Sequence, residues 1–152
     1  MYKIGKFIVY GEHEDVPKGL SIKILPYSHN AAYGWWNEST RDVLIAMFDL
    51  PIKGATVLDL GCGASAILAI AAKKMGASEV VACELNPELL KIAQKQIDAN
   101  GGDIELIQYD DDRKYDIILA NVGDAELVEK LSKRTKKSLG TNVDGDLLEG
   151  GN

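Results

Sequence analysis

Asp59, Gly61 and Gly63 stand at alternate positions after the apolar run Val57-Leu58, and an alanine-rich helical pattern from Ala66 to Met75 follows at once. That order reads as a strand, a tight turn and a helix start. Glycines at such a turn let the backbone bend sharply and approach a ligand with no Cβ in between, and the helix N-terminus behind them offers unpaired N–H groups. A second apolar run, Val80-Val81-Ala82-Cys83, ends in Glu84, where the next parallel strand of a βαβ unit delivers a carboxylate to a ribose. The chemistry expected is recognition of a nucleotide-like ligand. Glu84 can accept two hydrogen bonds from a sugar diol, each worth about 1.5–3 kcal/mol when charge-assisted. Asp59 is expected to hold the glycine turn through backbone N–H groups.

These residues need a scaffold, and the hydrophobic pattern supplies one. Phe7–Tyr10 and Leu20–Leu25 read as two strands around a polar turn, a leading β-hairpin, followed by a loop to Glu38 rich in aromatic and amide groups. Ser39 and Asp42 resemble a capping box, and Val43, Leu44, Met47 and Leu50 then recur at helical spacing until Pro51. Strands over 56–60, 80–84, 104–109 and 115–120 alternate with helices, one of which opens on Asn86 as N-cap and Pro87 in the first turn. Alternating βα units imply a parallel sheet. Right-handed crossovers give it the order 3-2-1-4, with a ligand crevice at the carboxyl ends of the first and fourth strands. Leu127, Val128 and Leu131 sustain a helix to about Ser138, and residues 141–152 have little apolar content.

The expected organisation is a single domain in three parts: a hairpin and aromatic loop over 1–38, a ligand-binding core over 39–140, and a loose tail over 141–152. The usual late strands of such a sheet are missing from this reading. The edge of the fourth strand then needs a short strand at Thr141–Val143, the leading hairpin or a second copy of the chain, which makes a homodimer possible.

Composition narrows the function classes. With 152 residues, 46% hydrophobic and 26% charged, the chain suits one globular domain. A net charge of −6 leaves no broad basic face, so nucleic acid is not favoured as a partner. Lys130, Lys133, Arg134, Lys136 and Lys137 form the one basic cluster, read as a solvated helix end. Neither a secretory leader nor a bilayer-length apolar stretch is evident, which points to a cytoplasmic protein without a membrane partner. Cys62 and Cys83, at the ends of two strands, read as buried free thiols. No metal is expected, because only His13 and His29 could join them.

A dinucleotide site expects a third glycine where Ala66 or Ile67 stands, so close pyrophosphate packing is not provided. Asp-x-Gly-x-Gly-x-Ser instead resembles motif I of the class I S-adenosylmethionine-dependent methyltransferases. Over roughly residues 20–131 the resemblance extends to the ribosomal protein methyltransferases of the PrmA type. Thr40, Thr56–Gly63, Ile67–Ala72, Gly76-Ala77, Glu84-Leu85-Asn86-Pro87 and Leu119-Ala120-Asn121-Val122 carry it. It implies a Rossmann-like sheet and S-adenosylmethionine as cofactor, contacted by Thr40, Gly61, Glu84 and Asn121, with Asp110 or Asp111 near the adenine. Asp59, Cys62 and Gly63 in the turn and Leu85 beside the acid complete the candidate cofactor contacts.

Asn121 is the candidate catalytic residue, because it caps the fourth strand toward the crevice and its amide presents both a donor and an acceptor. Asn121-Val122-Gly123-Asp124 is not Asn-Pro-Pro-Tyr, which argues against methylation of adenine or a glutamine amide. The expected activity is N-methylation of an amine on a protein substrate. The alternatives are a catalytically silent cofactor-binding subunit needing a partner, or methylation of RNA or a small molecule. For the proton that an amine must lose, Asp124, His29 and Tyr33 are candidates by position. Tyr33-Gly34 matches the aromatic-glycine segment that covers the cofactor in this family, and Trp35 and Trp36 could form a lid or a slot for the acceptor. Two departures stand out. Between Gly61 and Glu84 the chain is one residue longer than the family pattern, with Ala64-Ser65-Ala66 where Ser-Gly is expected, and the family's separate substrate-recruiting domain has no counterpart in these residues.

Overall fold

In the computed structural model, residues 2–4, 7–10, 20–25 and 38–152 are described. The chain runs β1 (Tyr2–Ile4), β2 (Phe7–Tyr10), β3 (Leu20–Lys23), α1 (Glu38–Met47), β4 (Thr56–Leu60), α2 (Ile67–Lys74), β5 (Glu79–Cys83) and α3 (Pro87–Ala99). Then follow β6 (Glu105–Ile107), β7 (Tyr115–Ala120), α4 (Ala125–Ser132), β8 (Thr135–Thr141) and β9 (Leu147–Gly150). The main sheet has the order β6-β5-β4-β7-β8-β9. Its first four strands thus lie in the 3-2-1-4 arrangement expected from the alternating pattern. Pairing is parallel from β6 through β8 and antiparallel between β8 and β9.

The central strands are predominantly apolar because both faces are covered, as parallel sheets require. Val57, Val80, Ala82, Ile117 and Leu119 point into the larger core with α1, α2 and α3, while Leu58, Val81, Cys83, Ile118 and Ala120 meet Val128 and Leu131 of α4. Asp59, one pleat on from Val57, shares the α2 face and is buried. α3 starts as its sequence dictates: the Asn86 side chain accepts from Glu88 N–H at 2.9 Å with Pro87 in the first turn. Among the described residues, no helix is long and apolar enough to cross a membrane.

Several expectations are corrected. The late strands are present. The helix carrying Leu127 and Leu131 stops at Ser132, and Thr135–Thr141, read as helix end and tail, forms β8 against β7. Leu147–Gly150 adds β9, so residues 141–152 are no loose terminus. Lys136 and Lys137 accordingly lie on a strand and not at a helix end. Because β8 covers β7, the edge proposed for pairing with a second copy is already occupied.

The leading element is not a hairpin of its two main strands, since β2 and β3 run parallel and β1 supplies the antiparallel partner of β2. On its other side, β3 meets α3. Gln96 and Asn100 each bond both backbone groups of one residue: Gln96 takes Leu25 N–H at 2.8 Å and gives to Leu25 C=O at 2.9 Å. Asn100 does the same to Lys23 at 2.8 Å each way. The capping box is also displaced, because α1 begins at Glu38 and Ser39 lies inside its first turn.

Candidate functional site

A cavity of about 450 Å³ opens at the carboxyl ends of β4, β5 and β7 on the α4 side. Leu60, Leu85, Val122, Leu127 and Leu131 supply apolar walls; Gly61, Glu84, Asp110, Lys130 and Arg134 supply polar edges. Its size falls within the roughly 300–1,000 Å³ of small-molecule sites. It lies at the switch point of the strand order, where ligands of open α/β sheets bind.

The turn after β4 is built around Cys83 C=O, which accepts the N–H groups of Gly61 at 2.8 Å and Cys62 at 2.9 Å. Gly61 has φ +75°, and a Cβ there would stand 2.5 Å from Val122 Cγ1. Glycine is therefore demanded twice, by backbone handedness and by the close approach of Val122. Gly63 also has positive φ, and a Cβ there would meet nothing within 4 Å, so its outer face is open.

Glu84 reaches back across this turn. Its Oε1 accepts from Gly63 N–H at 3.0 Å and its Oε2 from Asn86 N–H at 2.9 Å. Each carboxylate oxygen retains a second lone pair. Glu84 therefore shapes the glycine turn and still presents acceptors to the cavity.

Asp59 lies deeper, 1% exposed, and its Oδ2 accepts from Ala69 N–H of α2 at 3.0 Å. The expected bonds to the glycine turn are not the ones found: Gly61 and Cys62 N–H go to Cys83 C=O and Gly63 N–H to Glu84, while Asp59 fastens the first turn of α2. Ala66, the N-cap position, has φ 50° and no side-chain cap; Ser65 Oγ accepts Ile67 N–H at 3.3 Å, and Asp59 supplies from β4 the acceptor for Ala69 N–H. Burial raises the Asp59 carboxyl to about 7, against the lowering by the Ala69 N–H and with a smaller push from Glu84. Both protein states hold the Asp59 proton below about pH 4. Between there and about pH 7 only the folded state keeps it, so stability falls as pH rises by about 1.4 kcal/mol per unit. Asp59→Asn keeps an acceptor and removes the titration. Its stability by urea unfolding is expected to exceed that of the parent by a few kcal/mol above pH 7, with the gap closing toward pH 4. An unchanged gap across that range would refute this.

Asn121 follows β7 and is tied at both ends of its amide. Nδ2 donates to Thr40 Oγ1 at 3.1 Å, and Oδ1 accepts from Thr141 Oγ1 at 2.9 Å. The structure thus brings together Thr40 and Asn121, two candidates 81 positions apart in sequence. Asp110 lines the cavity, gripped by Arg134 through bonds of 2.6 and 3.0 Å. The Arg134 guanidinium holds the Asp110 carboxyl below its ordinary range. Asp111 turns elsewhere, onto Arg113 Nε at 2.8 Å. Of the two acids placed near the base end, Asp110 is the one at the cavity.

Cys62 and Cys83 are free and buried, and burial raises both thiols, Cys83 to about 11. Neither offers a thiolate at neutral pH. Leu85 is exposed at the cavity rim. Asp124, a candidate base, caps α4 by accepting Leu127 N–H at 3.1 Å. His13, His29, Tyr33, Trp35 and Trp36 lie outside the described residues. Among those described, no group of three or more His, Cys, Asp or Glu could hold a metal ion. Thr141, Arg134, Lys130 and Val122 went unnoticed as site residues. The first two flank or belong to a strand that the sequence pattern does not announce.

Comparison with known proteins places this geometry. Residues 2–146 match the family model described as ribosomal protein L11 methyltransferase (PrmA). The ribosomal protein L11 methyltransferase of Caldicellulosiruptor saccharolyticus is 32% identical over 155 residues, 97% of this chain and 51% of that protein. That of Thermosipho africanus is 33% identical over 130 residues, 82% of this chain and 48% of that protein. The chain spans about half the length of these curated relatives. Among solved structures, ribosomal protein L11 methylase from Lactobacillus delbrueckii subsp. bulgaricus shares the fold with a TM-score of 0.74 at 24% identity, covering 90% of this chain and 74% of that one. A methyltransferase complexed with SAH shares it at a TM-score of 0.56 and 14% identity, covering 90% of this chain and 55% of that one. With a family model matched over nearly its whole length, the chain belongs to the ribosomal protein L11 methyltransferase (PrmA) family.

Proposed function

We propose that this chain binds S-adenosylmethionine in the cavity beside β4 and β5 and N-methylates an amine of a ribosomal protein, in the cytoplasm. One observation carries the reading: the Glu84 carboxylate stands at an apolar cavity next to an open glycine turn, with a free lone pair on each oxygen. The site suits an adenosine-like group. Two acceptors on one carboxylate match a ribose diol, apolar walls accept a flat base, and Gly63 leaves the backbone open to approach.

When bound, the cofactor supplies a methyl group already activated by a positive sulfur. The protein's work is then to hold, orient and exclude water. In this reading Glu84 grips the ribose, Gly61, Cys62 and Gly63 form the floor with Leu85 at the rim, and Asp110 borders the base. Asp59 supports the start of α2, and Thr40 and Asn121, which bond each other and are not among the residues lining the cavity, are assigned to the reacting end because Asn121 directly precedes the cavity-lining Val122. Asn121 offers the incoming amine an oxygen acceptor for its N–H. A lysine with its ordinary pKa near 10.4 is neutral in only about one molecule in a few thousand at pH 7, so a dry acceptor slot must favour the neutral form. The silent-subunit alternative drew on missing late strands, which β8 and β9 supply, and on the lack of a clear base, a ground that stands, since Asp124 caps α4 and His29 and Tyr33 lie outside the described residues.

Calorimetry with S-adenosylmethionine, S-adenosylhomocysteine and NAD tests the binding half: the first two are expected to bind and NAD is not. Binding of NAD alone would overturn it. Methyl-labelled cofactor incubated with ribosomal large subunits tests the transfer half. Label is expected in protein, and label in ribosomal RNA would overturn the protein reading.

A further inference from the structure

We propose that Thr141 is a positioning residue that locks the Asn121 amide in one orientation, an assignment whose functional half rests on Asn121 standing at the reacting end. Thr141 ends β8 and is 1% exposed. Its Oγ1 accepts from Gly123 N–H at 3.1 Å and donates to Asn121 Oδ1 at 2.9 Å. On the other side, Asn121 Nδ2 donates to Thr40 Oγ1 at 3.1 Å.

The chain of donors has a direction. A buried hydroxyl needs an acceptor for its proton, and Asn121 Oδ1 is the one the structure gives it. Turning the amide over would leave the Thr141 oxygen able to accept a second N–H on its remaining lone pair, but would strand the hydroxyl proton without an acceptor, and that loss sets the direction. Fixed in this way, Asn121 keeps one lone pair on Oδ1 and one hydrogen on Nδ2 for a reactant. An amine N–H held by that lone pair has its own electron pair aimed in one direction only. Loss of Thr141 frees the amide to turn, and misplaced reactants cost rate far more than they cost affinity. Position 141 thus acts through Asn121 on the methyl acceptor and leaves the cofactor's sugar and base contacts alone.

The test compares the full chain with Thr141→Val, which keeps the shape and loses both bonds, and Thr141→Ser, which keeps both bonds. Three quantities are read: the side-chain amide resonances of Asn121, assigned by their loss in Asn121→Asp; the Kd for S-adenosylhomocysteine; and turnover on purified ribosomal protein L11. Thr141→Val is expected to move the amide resonances and lower turnover by at least roughly tenfold with Kd within about twofold, and Thr141→Ser is expected to restore all three. Unmoved resonances in Thr141→Val overturn the proposal. So does a Kd that worsens in step with turnover, or a serine variant that behaves like valine. Should the valine variant not fold, Thr141→Cys, with its weak S–H donor, is judged by the same criteria. If the parent chain methylates no ribosomal protein, the protein-methylation reading fails by itself, and the resonances and Kd still decide the role of Thr141.

Discussion

Glu84→Gln is expected to weaken binding of S-adenosylmethionine by roughly a hundredfold or more, nearly as much as Glu84→Ala. The near-equality is the informative part. In the free protein both carboxylate oxygens are already engaged, one by Gly63 N–H and the other by Asn86 N–H. A glutamine has one acceptor oxygen, so its NH2 must face one of those donors. The turn then loses its fastening, and the ribose loses an acceptor. Two charge-assisted bonds at about 1.5–3 kcal/mol each amount to roughly 3–6 kcal/mol, a factor of about 10² to 10⁴ in Kd. Thermal unfolding of the two variants should drop only by the value of the two turn bonds, leaving a folded protein on which calorimetry can be done. An unchanged Kd in Glu84→Ala would remove this residue from the site.

Gly140→Ala is expected to destabilise the fold by about 3 kcal/mol, near the upper end for an overpacked core. Gly140 sits in β8 opposite Ala120 of β7, beneath α4. A Cβ there would lie 2.5 Å from Val128 Cγ2 and 2.7 Å from Ala120 C=O. Val128 can yield by changing rotamer, but the carbonyl belongs to a paired strand and cannot. Val128→Ala added to Gly140→Ala should therefore recover only part of the loss. In a protein of this length about 3 kcal/mol corresponds to a fall of roughly 6–12 °C in Tm. A fall of under a degree would show that β8 does not pack against β7 as described. The variant also bears on function, because position 140 adjoins Thr141 and a displaced β8 carries the Asn121 partner with it.

The βα units between Thr56 and Ala120 were legible in the sequence for a local reason. Each strand is a short apolar run, each helix has its own start signal, and Asn86-Pro87 or Asp59-x-Gly61 marks the change. Glu84, Gly61 and Asp110 fall at the cavity because their places are set by where those strands end, whereas Asn121 follows β7 onto Thr40 and Thr141 and is not among the residues lining the cavity. β8 was illegible because nothing local favours it: Thr135-Lys136-Lys137-Ser138 is polar at all four positions and follows directly on a helical pattern. Its strand form comes from β7 on one side and α4 above it, which are tertiary causes. The same holds for the inner bonds of the site. That Glu84 fastens Gly63, that Asp59 reaches Ala69, and that Arg134 takes up Asp110 depend on turn geometry and on elements distant in sequence.

Gln96 and Asn100 have a consequence for the start of the chain. Four residues of helix advance about 6 Å and two residues of strand about 6.6 Å, so two amides one turn apart mesh with every second residue of an extended backbone. The pair works like a two-toothed comb that reads the spacing of the main chain and ignores its side chains. Sliding the strand past it by one residue would turn both backbone donors away, so the alignment moves in steps of two or not at all. A single residue inserted between Lys23 and Leu25 would leave one tooth unmatched, while side-chain changes at Lys23 and Leu25 themselves would leave both teeth engaged; the buried Ile22 and Ile24 are held separately, by the core they fill.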